Sequence, residues 1–159
     1  LFRSNINEYS MGTNGATPSN YDPFSYAAQY VEDYNFTPGA VIMAPRTYYT
    51  LDRLKEGTTN APLRPPASYD ALRKFRTNQI GVAYTKGSAT NTSKAYVGDF
   101  TKLLYGVRRN ISIDMSKSGT GSTGQDSFSR LQVLIRAVMR LDVAVIQERA
   151  FTRIEGIKP

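Results

Sequence analysis

The longest patterned stretch of the chain runs from Phe128 to Ile146, and two periodicities fit it. Read as a helix, it gathers Leu131, Leu134, Ile135, Val138 and Leu141 on one side. Read as a strand, it puts Val133, Ile135, Ala137, Met139, Leu141, Val143 and Val145 on one face, with Gln132, Arg136, Arg140 and Asp142 opposite. Six β-branched residues and a preceding strand and glycine-rich loop favour the strand. At about 3.3 Å per residue such a strand would span roughly 60 Å. A compact domain of this size is only about 35–40 Å across. The strand therefore either bends near Arg140–Asp142 or projects from the globule, and that limits the folds open to the chain.

At 159 residues the chain suits one domain, or one compact domain with an appendage. It has no His, no Cys and no Trp, but 11 Tyr and 7 Phe. Without His there is no Ser-His-Asp triad or imidazole base, and without Cys no thiolate, disulfide framework or redox pair. Zinc, haem and iron–sulfur centres lose their usual ligands. Carboxylate chemistry, hard cations on oxygen ligands, a Ser/Lys or Thr nucleophile, or no catalysis at all remain. No apolar run approaches the ~18 residues of a membrane-spanning helix, and no leader pattern opens the chain. Sequons at Asn35, Asn91 and Asn110 are what a chain rich in Asn, Ser and Thr produces by chance. The start at Leu1 suggests a piece of something longer.

Residues 1–21 read as an irregular lead-in with Gly12, Gly15 and Pro18. Asp22-Pro23 then looks like an N-cap and first helical residue, followed by an apolar face of Phe24, Ala27, Ala28 and Val31 ending near Tyr34. Ala40–Ala44 is a short apolar run with the pattern of a strand buried on both sides. Pro45 opens a second helix carrying Tyr48, Leu51 and Leu54, with Gly57 placed as its cap. Residues 56–70 have no periodicity, and Leu63, between Pro62 and Pro65, reads as an anchor. Further strands are expected over Phe75–Tyr84, Lys94–Phe100 and Leu103–Met115, with a small-residue loop over Ser116–Gln125. Helix, buried strand and helix in so short a span imply a layered α/β or α+β core.

Few constellations carry chemistry. Gly119–Gly124 matches GxGxxG with Asp142 downstream, but alternating β sequence follows where a phosphate-binding helix would have to start. Glu32-Asp33 is the one adjacent carboxylate pair, and helical neighbours diverge by about 100°. Lys117 beside Ser116 and Ser118 sits in a polar loop, a poor setting for a Ser/Lys nucleophile pair. Of 20 Lys and Arg against 13 acids, the basic residues cluster at Arg53, Lys55, Arg64, Arg73, Lys74 and Arg76, and again at Arg108-Arg109. With Tyr48, Tyr49, Tyr69 and Phe75 nearby, a nucleic-acid surface has to be weighed. No recognition motif accompanies it, and a solvated basic face, or Arg pairing with carboxylates of a neighbouring subunit, explains it better.

Four pieces, in order, resemble the major capsid proteins of tailed bacteriophages with the Hong Kong 97 fold. Tyr34–Pro45, followed by Leu51 and Leu54-Lys55, is similar to the family's helix, apolar strand and proline-led helix. Pro62-Leu63-Arg64-Pro65-Pro66 resembles the loop that follows. Ala95–Phe100 is similar to the strand ending in Gly-Asp-Phe. Phe128–Ile146 and Ala150–Ile154 resemble the long strand with Arg-x-Asp and the closing Ala-Phe strand.

The resemblance implies an α+β fold of Hong Kong 97 type: an axial domain, a mixed sheet flanked by helices, plus part of the peripheral β-hairpin domain. Residues 1–21 would close a peripheral segment, 22–115 form the axial domain, 116–142 the peripheral hairpin, and 143–159 the return strands. The function implied is that of a structural, non-enzymatic capsid subunit without cofactor, catalytic residue or metal. It would assemble with itself into pentamers and hexamers of an icosahedral shell around DNA, in the virion and, before assembly, in the host bacterial cytoplasm. Scaffold and portal proteins are further implied partners, packaged DNA only an indirect one, and no membrane is involved. Leu63, Arg64, Pro65 and Tyr69 are the expected subunit contacts. The long strand lacks the Asn and Glu that some members use for Lys–Asn crosslinks. By itself the chain is expected to be monomeric or weakly associating, because the family's arm and extended loop, which make most contacts, would lie upstream. An encapsulin-type compartment shell and a basic nucleic-acid-binding module are the alternatives.

Overall fold

The computed structural model describes residues 6–117, 120, 124 and 131–159. Most of the Gly119–Gly124 motif and of the Ser116–Gln125 loop, together with Phe128–Arg130, lies outside the described residues. The described residues divide into two compact units, one made of residues 6–103 and 145–159 and one of those between 104 and 144.

The first unit is built on strands β1 (Asn7–Ser10), β2 (Ala40–Met43), β3 (Arg73–Arg76), β4 (Tyr84–Lys86), β5 (Ala89–Gly98) and β8 (Phe151–Ile157), with helices α1 (Asp22–Glu32), α2 (Pro45–Asp52) and α3 (Ala67–Asp70). The strand order is β1-β8-β5-β2-β3, and β4 pairs separately with β5. β1 runs parallel to β8 and β3 parallel to β2, while β5 is antiparallel to both β2 and β8. The sheet is therefore mixed, as the α+β expectation requires.

Helix α1 buries Phe24, Ala27, Ala28 and Val31, the face its spacing predicts. Its N-cap is Tyr21 rather than Asp22, and no side chain caps it; Pro23 starts the helix through its restricted φ. At the other end the Phe36 N–H donates to Val31 O and the Asn35 N–H to Glu32 O, with Asn35 at φ 60°. This paired closure, with Asn35 in the left-handed region, follows the helix, which ends at Glu32, two residues short of the expected Tyr34. Helix α2 stops at Arg53, and Gly57 caps nothing. Leu54 to Leu63 instead form a tight hairpin, held by Leu63 N–H to Leu54 O at 2.9 Å and Glu56 N–H to Ala61 O at 2.9 Å.

Other boundaries also differ from the pattern. The lead-in contains β1, four residues whose strand state depends on pairing with β8. The strand expected over Phe75–Tyr84 is two strands, β3 and β4, separated by a turn in which the Gln79 N–H bonds Thr77 Oγ1. β5 begins five residues before Lys94.

Phe24 and Ala27 of α1, Leu51 of α2 and Tyr69 of α3 join Val41, Met43, Ala95, Val97 and Ile154 in one buried cluster. Alternation along the strands puts those sheet residues on one face, so the helices cover one side only. On the other side lie Ile42 and Phe75, which are register partners, and Tyr96 and Arg153, another register pair. The expectation that β2 is buried on both faces holds for Ala40, Val41 and Met43, whereas Ile42 is only half-buried.

The second unit is a two-stranded ribbon of β6 (Leu103–Ser116) and β7 (Leu134–Val145). The strand periodicity of residues 134–145 thus prevails over the helical one. Asp114 and Arg136 pair across the ribbon at 3.0 Å, which places the odd-numbered residues of both strands on the opposite face. That face carries Ile111, Ile113, Met115 and Ile135, each about two-thirds exposed or more. β7 holds 12 of the 19 residues expected to form the long strand: residues 131–133 and Ile146 are not strand, and Phe128–Arg130 lie outside the described residues, so the strand is shorter than its pattern implied. Contacts group residues 104–115 with this ribbon, whereas the resemblance implied a boundary after residue 115.

Candidate subunit-contact surface

The loop between α2 and α3 is ordered by its own chain. Leu63 is half-buried against the core cluster, held by the hairpin bond to Leu54, and so acts as the anchor its spacing suggested. Arg64 and Pro65 are exposed. Tyr69 is not: it is 5% exposed, its ring 5.0 Å from Tyr21 and 5.2 Å edge-on to Phe24. Burial, with the nearby Tyr21, pushes its phenol well above the ordinary value, so the hydroxyl stays protonated. Leu63, Arg64, Pro65 and Tyr69 all border one open hollow of about 320 Å³, with Tyr69 on the side of the core and Arg64 on that of solvent.

The basic cluster is partly tied down. Lys74 bonds Asp70 at 3.0 Å and lies 5.0 Å from the Tyr69 ring centre. Arg76 stacks 4.8 Å over Tyr48 and bonds the Tyr49 hydroxyl at 3.3 Å. Groups held this way are less free to follow a phosphate backbone.

The helix-free face of the sheet has two halves. Towards β1, Glu155 meets Arg153 at 2.9 Å, Lys94 at 3.0 Å and Lys86 at 3.5 Å, and Glu8 bridges Arg153 at 2.9 Å. Burial pulls the Glu155 carboxyl up, but the Lys94 hydrogen bond and the charges of Arg153 and Lys94 outweigh it and hold the pKa below the usual value. A folded-state pKa below the unfolded one gives stability that is complete above the unfolded value and is lost as pH falls through the folded value. Urea titrations should therefore show the unfolding midpoint of the first unit dropping on acidification below about pH 4. Glu155→Gln should lower the neutral-pH midpoint and flatten that acid limb, and an unchanged acid limb would contradict the assignment.

Towards β3, the same face is apolar. Ile42, Phe75 and Phe100 border an open hollow of about 730 Å³ rimmed by Arg73 and Asp99. Phe75 is half-exposed. Reading the chain by residue pattern missed this surface, because Ile42 and Phe75 become neighbours only through the parallel pairing of β2 with β3. The alternation of β3, with Arg73 and Phe75 on one side and Lys74 and Arg76 on the other, was the available signal.

Among the described residues no three His, Cys, Asp or Glu side chains come close enough to hold a metal. What the chain presents is surface: an anchored loop, a sheet with one uncovered face, and a ribbon with an apolar side.

The phage capsid family model matches residues 6–156, and the chain belongs to that family. A chain of Mycobacterium phage Ogopogo superposes with a TM-score of 0.69 at 20% identity, covering 94% of this chain and 53% of that one. A chain of Gordonia phage Cozz gives 0.66 at 16% identity, with 97% and 50% covered. An encapsulin complex from Synechococcus elongatus gives 0.59 at 9% identity, with 97% and 55% covered. The fold is the Hong Kong 97 type, and the chain spans about half the length of these structures. No curated protein sequence matches it.

The four resembling pieces now have places. Tyr34–Pro45 spans the close of α1, all of β2 and the start of α2. Pro62–Pro66 leads from the hairpin to α3. Ala95–Phe100 ends β5, and the last piece covers β7 and the start of β8.

Proposed function

We propose that this chain supplies the axial domain and part of the peripheral domain of a phage major capsid subunit, which assembles with itself into pentamers and hexamers of an icosahedral shell around DNA. The family match over residues 6–156 carries the reading. In it the first unit is the axial domain, and its loop residues Leu63, Arg64 and Pro65 meet the neighbouring subunit. Tyr69 contributes from beneath by holding the loop in place. The ribbon belongs to the peripheral domain, and its apolar face is covered by the rest of the subunit or by neighbours. An isolated two-stranded hairpin is only marginally stable in water, so such a face needs a cover.

Ring contacts between identical subunits are heterologous and must close. The uncovered sheet face and the exposed Tyr and Arg side chains suit contacts of that kind. Scaffold and portal proteins are partners of the assembled form, and DNA is enclosed rather than read. The likeness to an encapsulin is weaker than that to the Ogopogo and Cozz phage chains and shows the shared fold.

Electron cryomicroscopy of particles from cells expressing the open reading frame that contains this chain tests the proposal. Shells with fivefold and sixfold capsomers and the first unit around their axes are expected. Particles filled with enzyme cargo and lacking nucleic acid would favour a compartment shell, and failure to form any shell would overturn both.

A further inference from the structure

Charge is segregated between two successive segments of the first unit, residues 6–45 and 46–76. Residues 6–45 contain Glu8, Asp22, Glu32 and Asp33 and no Lys or Arg. Residues 46–76 contain seven Lys and Arg against three Asp and Glu. The first group includes α1, which packs on β8, β1 and β5. The second includes β3, at the edge of the sheet opposite β1. The cations that β4, β5 and β8 bring to the β1 end, Lys86, Lys94 and Arg153, are taken up by Glu8 and Glu155, which leaves the exposed Glu32 and Asp33 as an acidic tip on that side and a basic edge at β3 on the other.

Each side also carries exposed aromatic surface. At the end of α1, Glu32, Asp33 and Tyr34 are all exposed, and Arg149, next to Glu148, lies 4.8 Å over the Tyr34 ring and bonds Asn7. At the other end, Arg73 and Phe75 are exposed on β3, beside the apolar hollow, and Arg53 is exposed at the end of α2. The outer edge of β3 pairs with no further strand of the sheet among the described residues.

We propose that the partner for the β3 edge is a second copy of this chain, which presents the Glu32–Asp33–Tyr34 end of its α1 to Arg53, Arg73 and Phe75. Like charges at either surface oppose self-pairing of that surface, acid on acid or base on base, so the contact is head to tail. Arg–carboxylate pairs at such a junction set orientation, and Tyr34 against Phe75 supplies apolar area. This rests on the self-assembly reading and adds which two surfaces meet.

Sedimentation equilibrium on the 159-residue chain tests the pairing. At high protein concentration and low salt, weak association is expected, falling about tenfold when salt is raised past the point where the Debye length drops to a few ångströms. Glu32→Lys with Asp33→Lys should weaken it at least about tenfold, and Arg53→Glu with Arg73→Glu should do the same. Either variant alone carries like charges on both surfaces; the quadruple variant, with both signs inverted, should associate again. All four side chains are exposed, and circular dichroism reports whether each variant is folded. Recovery in the quadruple variant would show that the losses came from the contact and not from the fold. A folded quadruple variant that stays monomeric would overturn the pairing, as would association indifferent to salt and to both reversals. In those cases, shells seen by cryomicroscopy would leave the capsid reading standing. Absence of association in the unaltered chain at low salt would also overturn the pairing.

Discussion

Gly98→Val should lower the stability of the first unit by about 3 kcal/mol, the upper end for forcing side-chain atoms into a packed interior. Gly98 ends β5 between Ala40 of β2 and Phe151 of β8. Its φ lies outside the left-handed region, so torsion is not the constraint. A Cβ there would come within 2.6 Å of both the Ala150 carbonyl oxygen and the Phe151 ring. Neither neighbour is free to retreat. The Ala150 carbonyl accepts the Asp99 N–H at 3.0 Å, and Phe151 is fully buried, edge-on to Phe100 at 5.4 Å. Urea or thermal unfolding should show Gly98→Ala already destabilised and Gly98→Val more so, the latter by about 10 °C in Tm for a chain of this size. Equal midpoints for Gly98→Val and the unaltered chain would show that the close approach does not constrain the strand.

The same site explains why a short motif was informative. In Gly98-Asp99-Phe100, glycine permits the approach of β8, and Asp99 accepts from the Thr101 N–H at 3.0 Å to start a 3-10 turn. Phe100 then covers Phe151. Three consecutive residues thus do three separate jobs at one junction, which leaves a readable trace in sequence.

Where local physics decides, the chain could be read directly. The apolar face of α1 and the run of β2 follow from spacing and from Pro, Asn and Gly at the boundaries. The long strand could be read as well, because residues 134–145 lie in a ribbon where alternation has only two faces to satisfy. Where pairing decides, reading failed. β1 is Asn-Glu-Tyr-Ser, with a single apolar residue, and it is a strand because β8 lies beside it. β3 and β4 merged in the pattern because the intervening turn contains Ile80 and Val82, which alternate with Tyr84 of β4 as strand residues would. Of the expected contact residues, Arg64 and Pro65 are at the surface and Leu63 is half-buried. The apolar hollow at Ile42, Phe75 and Phe100 draws on three separate segments, and no single window of sequence contains it.

Tyr69 shows how a residue beside a contact surface can act through the core. Tyr69→Ala should destabilise the first unit by about 3–4 kcal/mol, as expected for removing a buried aromatic ring without collapse of the space. The ring is held between Tyr21 and Phe24, and the Tyr21 hydroxyl is itself committed to the Leu51 carbonyl at 3.1 Å, so the walls of the cavity are pinned. Tyr69→Phe keeps the ring and should cost about 1 kcal/mol or less. A residue acting only at a subunit contact would give the opposite pattern, with an unchanged unfolding midpoint for the isolated chain and a loss confined to assembly. Alkaline titration separates the two independently. With its folded-state pKa raised by burial, Tyr69 contributes stability that is complete below the ordinary tyrosine value of about 10 and is lost as pH climbs through the folded value. Burial also raises Tyr9, Tyr21 and Tyr96, so tyrosinate absorbance should show several late-titrating groups, of which the latest disappears in Tyr69→Phe, and the alkaline loss of stability should soften with it. Together these outcomes would make Tyr69 the footing of the 62–70 loop: the core fixes the phenol ring, the ring fixes α3, and Arg64 and Pro65 reach solvent from a base that does not move.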